Sequence, residues 1–216
     1  MTGPGRIVVI AAGNEGGDQI HAQGQLVEGQ DLVMPFRVAD SDLQFVDVCI
    51  PRGDEVDLWV ETPDGVRHEP DGRLRQTMFG AFQASFVEDP VNRDQNLTVL
   101  IADGQVNERW GVRLRATTVL HGTVHAWAGT VDPSTSAFLF PNASSPMFSV
   151  GMPGTEERAI VVGSIVSRNR VPTVEGGLVA ENLVVGGLSP FSSHGKLQRN
   201  QLQTQLLRGD LHAHRA

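Results

Sequence analysis

Residues 7–16 read Ile7-Val8-Val9-Ile10-Ala11-Ala12-Gly13-Asn14-Glu15-Gly16, and the fold class turns on how this stretch is read. Four β-branched residues and two alanines follow one another without a polar interruption, the pattern of a strand covered on both faces, as strands of a parallel sheet are. Gly13-Asn14 ends the run as a turn. Open parallel sheets take their ligands at the carboxyl ends of their strands, so this junction is the first candidate for a site.

Outward from it, past Gly16-Gly17, the chain changes character. Residues 19–30 read as a polar, Gln-rich link, and beyond them come short runs of period two. Val56, Leu58 and Val60 alternate with Asp57 and Trp59, and Thr62-Pro63-Asp64-Gly65 supplies a turn in which proline presets φ. Leu97 to Ile101 reads as another strand. Trp110, Val112 and Leu114 alternate with Gly111, Arg113 and Arg115, and Val124, Ala126 and Ala128 continue the pattern, so one face is dry and the other wet.

Short strands with Gly and Pro between them and no helical period predict an antiparallel sandwich or jelly roll over residues 28–130. After a loop from Asp132 to Pro146, Ala159-Ile160-Val161-Val162-Gly163 is again a buried-type strand, and Leu183-Val184-Val185 a further short one. The expected architecture is α/β: a parallel-sheet core built from residues 1–27 and 131–195 and interrupted by the sandwich. Residues 196–216, with one Lys, three Arg, one Asp and four Gln, break from the composition before them and read as a divergent, disordered tail.

Val9 to Gly16 resembles the segment of subtilisin-like serine proteases that presents an oxyanion-hole asparagine. Two more segments stand in the order that family has them: Val150-Gly151-Met152-Pro153-Gly154 leading into Ala159 to Ser164, and Ser189-Pro190-Phe191-Ser192-Ser193-His194-Gly195. The resemblance implies a subtilase-like α/β fold and serine-type endopeptidase activity on polypeptide substrates. Asn14 would donate to the oxyanion, with Gly13 beside it at the substrate and Gly151 at the floor of the pocket for the side chain before the scissile bond. It implies no organic cofactor. Calcium commonly stabilises such proteases, but no ligands for it can be matched to positions here, and secretion is implied as family habit only.

The departures are equally specific. Nothing after Gly195 resembles the family's nucleophile turn, the proline expected after Gly195 is replaced by Lys196, and only thirteen residues precede Asn14, too few for the acid and base segments. The chain is therefore expected to be an internal piece, inactive alone. His121-Gly122-Thr123-Val124-His125 superficially resembles the base segment. It follows Asn14 instead of preceding it, has Val124 where the second histidine belongs, and continues a strand. Ser192 and Ser193 are expected to be structural and not nucleophilic.

A net charge of -8 works against nucleic acid or an anionic membrane as partner. No apolar stretch approaches the roughly 20 residues of a membrane helix. Cys49, the only cysteine, is expected to be a buried apolar residue with no disulfide. The acidic run Asp89, Asn92, Asp94 and Asn96 has neither the glycine nor the terminal glutamate of a calcium loop. The tripeptides Arg52-Gly53-Asp54 and Arg208-Gly209-Asp210 are read as chance strings. A different class of function is a protein- or glycan-binding sandwich, with Trp59 or Trp127 as surface anchors.

Overall fold

The computed structural model describes residues 7–18, 20–38, 43–90, 93–130, 144–145, 147–150, 160–180 and 182–193. Among them are fifteen strands and no helix. In chain order these are β1 (Val9–Ala11), β2 (His21–Gln25), β3 (Asp31–Arg37), β4 (Gln44–Ile50), β5 (Glu55–Glu61), β6 (Arg67–His68), β7 (Asp71–Thr77) and β8 (Gly80–Glu88). There follow β9 (Gln95–Ala102), β10 (Arg109–Thr118), β11 (Thr123–Thr130), β12 (Ser144–Ser145), β13 (Ile160–Val162), β14 (Arg170–Pro172) and β15 (Leu178–Ala180). The described residues of Met1–Asp18 and Pro146–Arg199 make one compact unit and those of Gln19–Ser145 another.

The larger unit holds a four-stranded sheet in the order β3-β10-β5-β6 and a seven-stranded sheet in the order β12-β2-β11-β4-β9-β8-β7, antiparallel throughout. Alternation decides which side chains meet between them. Met34, Phe36, Leu58, Val60, Trp110, Val112 and Leu114 come from the small sheet. Val46, Val48, Phe82, Val99, Val124 and Ala126 come from the large one, and all belong to a single buried cluster. Pro35, which has no N–H for a ladder, stands on the edge strand β3, where that loss is tolerated. The Gln-rich stretch read as a link contains β2: Ala22 points to the core, and Gly24 lies so close to Leu32 that an added Cβ would come within 2.7 Å of Leu32 Cδ2.

The expected α/β parallel-sheet core is corrected by the smaller unit. Its one parallel pairing among the described residues is β1 with β13, in the register Val9 opposite Ile160, Ile10 opposite Val161 and Ala11 opposite Val162. No helix covers it. Val9 is 61% exposed and Ile160 55%. The apolar run makes a strand, because β-branched side chains suit an extended backbone, but residue type does not determine which layers lie over a strand. In the same unit β14 and β15 form an antiparallel hairpin. The residues Leu183, Val184 and Val185, expected as a strand, are not one; they lead into a turn closed by the Gly187 N–H donating to the Val184 carbonyl.

Candidate functional site

The strands β1 and β13 run the same way, so their carboxyl ends lie together, and β1 continues one residue beyond its last pair by Ala12 N–H donating to the Val162 carbonyl at 2.9 Å. The chain then turns at Gly13, whose φ of +105° is a conformation L side chains avoid. A Cβ on Gly13 would meet the Glu15 carboxylate and come within 2.8 Å of Ser193 Oγ. Asn14 is exposed at the tip of this turn.

Residues 189–193 pack directly under the turn. Ser193 N–H donates to the Gly13 carbonyl at 3.1 Å and Gly16 N–H to the Phe191 carbonyl at 2.9 Å. Glu15 N–H donates to Ser193 Oγ at 3.1 Å, and that hydroxyl donates in turn to Glu15 Oε2 at 2.7 Å. The same Oε2 accepts the Asn14 backbone N–H at 3.0 Å. Gly16 is required by this closeness: a Cβ there would land on the Ser192 carbonyl.

The segment after β13 joins the same assembly. Ser164 N–H donates to Ser192 Oγ at 3.0 Å, the hydroxyls of Ser164 and Ser189 are 2.9 Å apart, and Ser189 N–H donates to the Ser164 carbonyl at 2.8 Å. Ser189, Ser192 and Ser193 are buried. Three stretches distant in sequence thus meet at the carboxyl ends of the parallel pair, and the serine hydroxyls hold them together. Gly151 lies outside the described residues, as do His194 and Gly195. The Glu15–Ser193 pair escaped the sequence reading, since the two are separated by 178 positions and neither type is distinctive in its segment.

In the sandwich unit, His21 and His125 face one another across β2 and β11, His21 Nε2 lying 3.0 Å from His125 Nδ1, with the rings stacked 5.2 Å apart and Trp127 against both. Burial, and then the neighbouring His125, lower the pKa of His21 to about 4; burial lowers that of His125 as well. Trp127 is 5% exposed, which corrects its reading as a surface anchor, whereas Trp59 is half-buried on the outer face of the small sheet. His121 precedes β11, whereas His125 lies within it. Asp54, the third residue of Arg52-Gly53-Asp54, is fully buried, with its carboxylate bonded to backbone, so that tripeptide has no accessible carboxylate. Cys49 is buried, as expected of an apolar residue, and forms no disulfide. No group of three or more His, Cys, Asp or Glu among the described residues is arranged to hold a metal ion, and there is among them no helix long and apolar enough to cross a membrane.

No protein-family model matches the sequence, and no curated protein matches it either. Among solved structures, the chain is similar to the CspB protease of Clostridium perfringens, with a TM-score of 0.61 and 20% identity over 89% of this chain and 39% of that one. This is a likeness of fold to part of a protease. The chain spans about two fifths of that protein's length. Membership of the subtilisin-like family, expected from the three segments, is corrected: short matching segments are not joined by any family-wide match, the structural likeness is distant, and the described residues are all-β.

Proposed function

We propose that this chain supplies the oxyanion-binding part of a serine-type endopeptidase and that the nucleophile, base and acid come from polypeptide outside it. The observation that carries the reading is Asn14, exposed at the carboxyl end of β1 on a turn that Ser193 and Phe191 fix from below. The likeness of fold to part of a protease supports the same class.

In such a reaction a serine hydroxyl gives its proton to the base as its oxygen attacks the peptide carbonyl carbon, and the carbonyl electron pair moves onto oxygen. A neutral amide N–H at a fixed position stabilises that charge without titrating. Collapse of the adduct returns the pair to the carbonyl and expels the amine, which takes a proton from the base. Asn14 fits the donor role and an aspartate there would oppose it. The buried serines at 189, 192 and 193 serve the scaffold.

The chain is to be co-expressed with the polypeptides encoded on either side of it and assayed on fluorogenic peptides. Alone it is expected to hydrolyse none. In the assembled enzyme Asn14→Ala is expected to lower kcat by about 10²–10³ with KM little changed, the usual effect of losing one oxyanion donor. An Asn14→Ala enzyme that turns over like the wild type overturns the reading.

A further inference from the structure

The geometry points to Glu15 and Ser193 as the positioning pair for Asn14. This rests on the reading of Asn14 as an oxyanion donor and adds to it the device that fixes the donor. A carboxylate one residue from an oxyanion site is an electrostatic hazard, because it repels the charge the site must hold. Here one oxygen, Glu15 Oε2, is turned back onto its own loop by two donors, the Asn14 backbone N–H at 3.0 Å and the Ser193 hydroxyl at 2.7 Å. The space it occupies exists because Gly13 has no Cβ.

The arrangement is reciprocal. Ser193 Oγ accepts from the Glu15 N–H while donating to the Glu15 carboxylate, and the Ser193 N–H holds the Gly13 carbonyl. Residues 13, 14 and 15 each have a backbone group bound within this ring, so the peptide planes on both sides of Asn14 are fixed. The Asn14 side chain is left pointing from an immobilised backbone, which is what a preorganised donor requires. Ser193 touches no reacting atom; it acts through Glu15 and the turn. Threonine at 193 keeps the hydroxyl, whereas alanine removes it.

The test is amide hydrogen exchange by NMR on the full chain, with the Asn14 backbone N–H as the reporter and the Ala12 N–H as the control for β1–β13 pairing. Ser193→Ala is expected to speed Asn14 exchange by at least about tenfold, the effect of releasing a charge-assisted hydrogen bond. Ala12 should stay protected and Ser193→Thr should exchange at the wild-type rate. Unchanged Asn14 exchange in Ser193→Ala, or equally fast exchange in Ser193→Thr, overturns the assignment. If Ala12 is exposed in Ser193→Ala as well, Glu15→Ala, which leaves Ser193 in place, is read instead: faster exchange at Asn14 supports the pair and an unchanged rate refutes it. Failure of the catalytic reading is registered separately, by an assembled enzyme indifferent to Asn14→Ala while the exchange result stands.

Discussion

The carboxylate of Asp54 accepts the backbone N–H of Gly122 at 2.8 Å, and the same group takes the N–H of His121 at 2.8 Å and of Leu120 at 2.5 Å. One buried side chain thus closes the turn between β10 and β11. Asp54→Ala would leave three backbone donors in that turn without their acceptor, and unfolding in urea should show a loss on the order of 3 kcal/mol. A loss within 0.5 kcal/mol, the ordinary scatter of surface changes at about that size, would show that water replaces the carboxylate.

The acid side of the stability curve carries a second signature of Asp54. Burial works against its ionisation, but the three backbone donors outweigh burial and hold its pKa below the usual carboxylate value. A carboxyl depressed in the folded state contributes stability that is fully present above the unfolded pKa, about 3.9, and is lost as pH falls through the folded value. The stability gap between wild type and Asp54→Ala should therefore be constant from neutral pH to about pH 5 and narrow below pH 4. A gap that widens towards acid would contradict the assignment.

His21 moves the curve at higher pH. Its folded pKa is about 4 through burial and then through His125, against about 6.5 unfolded, so between these values the unfolded chain binds the extra proton. Stability attributable to His21 is full above pH 6.5, declines as pH falls, and levels off below about 4, a total on the order of 3 kcal/mol. Replacing His21 by Gln should flatten the slope of stability between pH 6.5 and 4.5. An unaltered slope would place the acid sensitivity elsewhere.

The core of the sandwich was legible because its signal is local. Val56, Leu58 and Val60, or Val124, Ala126 and Ala128, show by alternation alone which face is dry, and the dry faces meet. The strand β2 was hidden because His21, Gln23 and Gln25 are not strand-forming types; its place is fixed by pairing with β11, which no local pattern reports. For the parallel pair, the strands at 9–11 and 160–162 were visible but their cover was not, since layers are a property of the whole chain. At the site, Asn14 stood out by its segment, whereas Glu15 and Ser193 acquire meaning only when the fold closes the distance between them.

Packing around β2 gives a compensating pair. A Cβ on Gly24 would lie 2.7 Å from Leu32 Cδ2, and Leu32 packs on the core. Gly24→Ala should cost about 1–3 kcal/mol as overpacking, and Leu32→Val in the same chain should recover part of that cost. Additive losses in the double variant would mean that the backbone of β2, and not the leucine, absorbs the methyl group.

Adjacent glycines in the site turn should respond in opposite ways. A methyl on Gly16 would land on the carbonyl of Ser192, which is backbone and cannot swing aside, while one on Gly17 finds its nearest neighbour, the Pro190 carbonyl, at 3.7 Å, an ordinary contact. Gly16→Ala must therefore push residues 189–193 away from residues 13–16, breaking the Gly16 N–H to Phe191 carbonyl bond and the Ser193 contacts beside it. Its expected effect is loss of protection at the Gly16 and Ser193 amides, with Gly17→Ala unchanged to within about 0.5 kcal/mol. Equal behaviour of the two variants would show that the two segments are not seated on one another as closely as the Gly16 contact requires. The contrast is sharp because both variants add the same methyl group to neighbouring residues, so the propensity change largely cancels, whereas the buried Gly16 meets the Ser192 backbone and the exposed Gly17 does not.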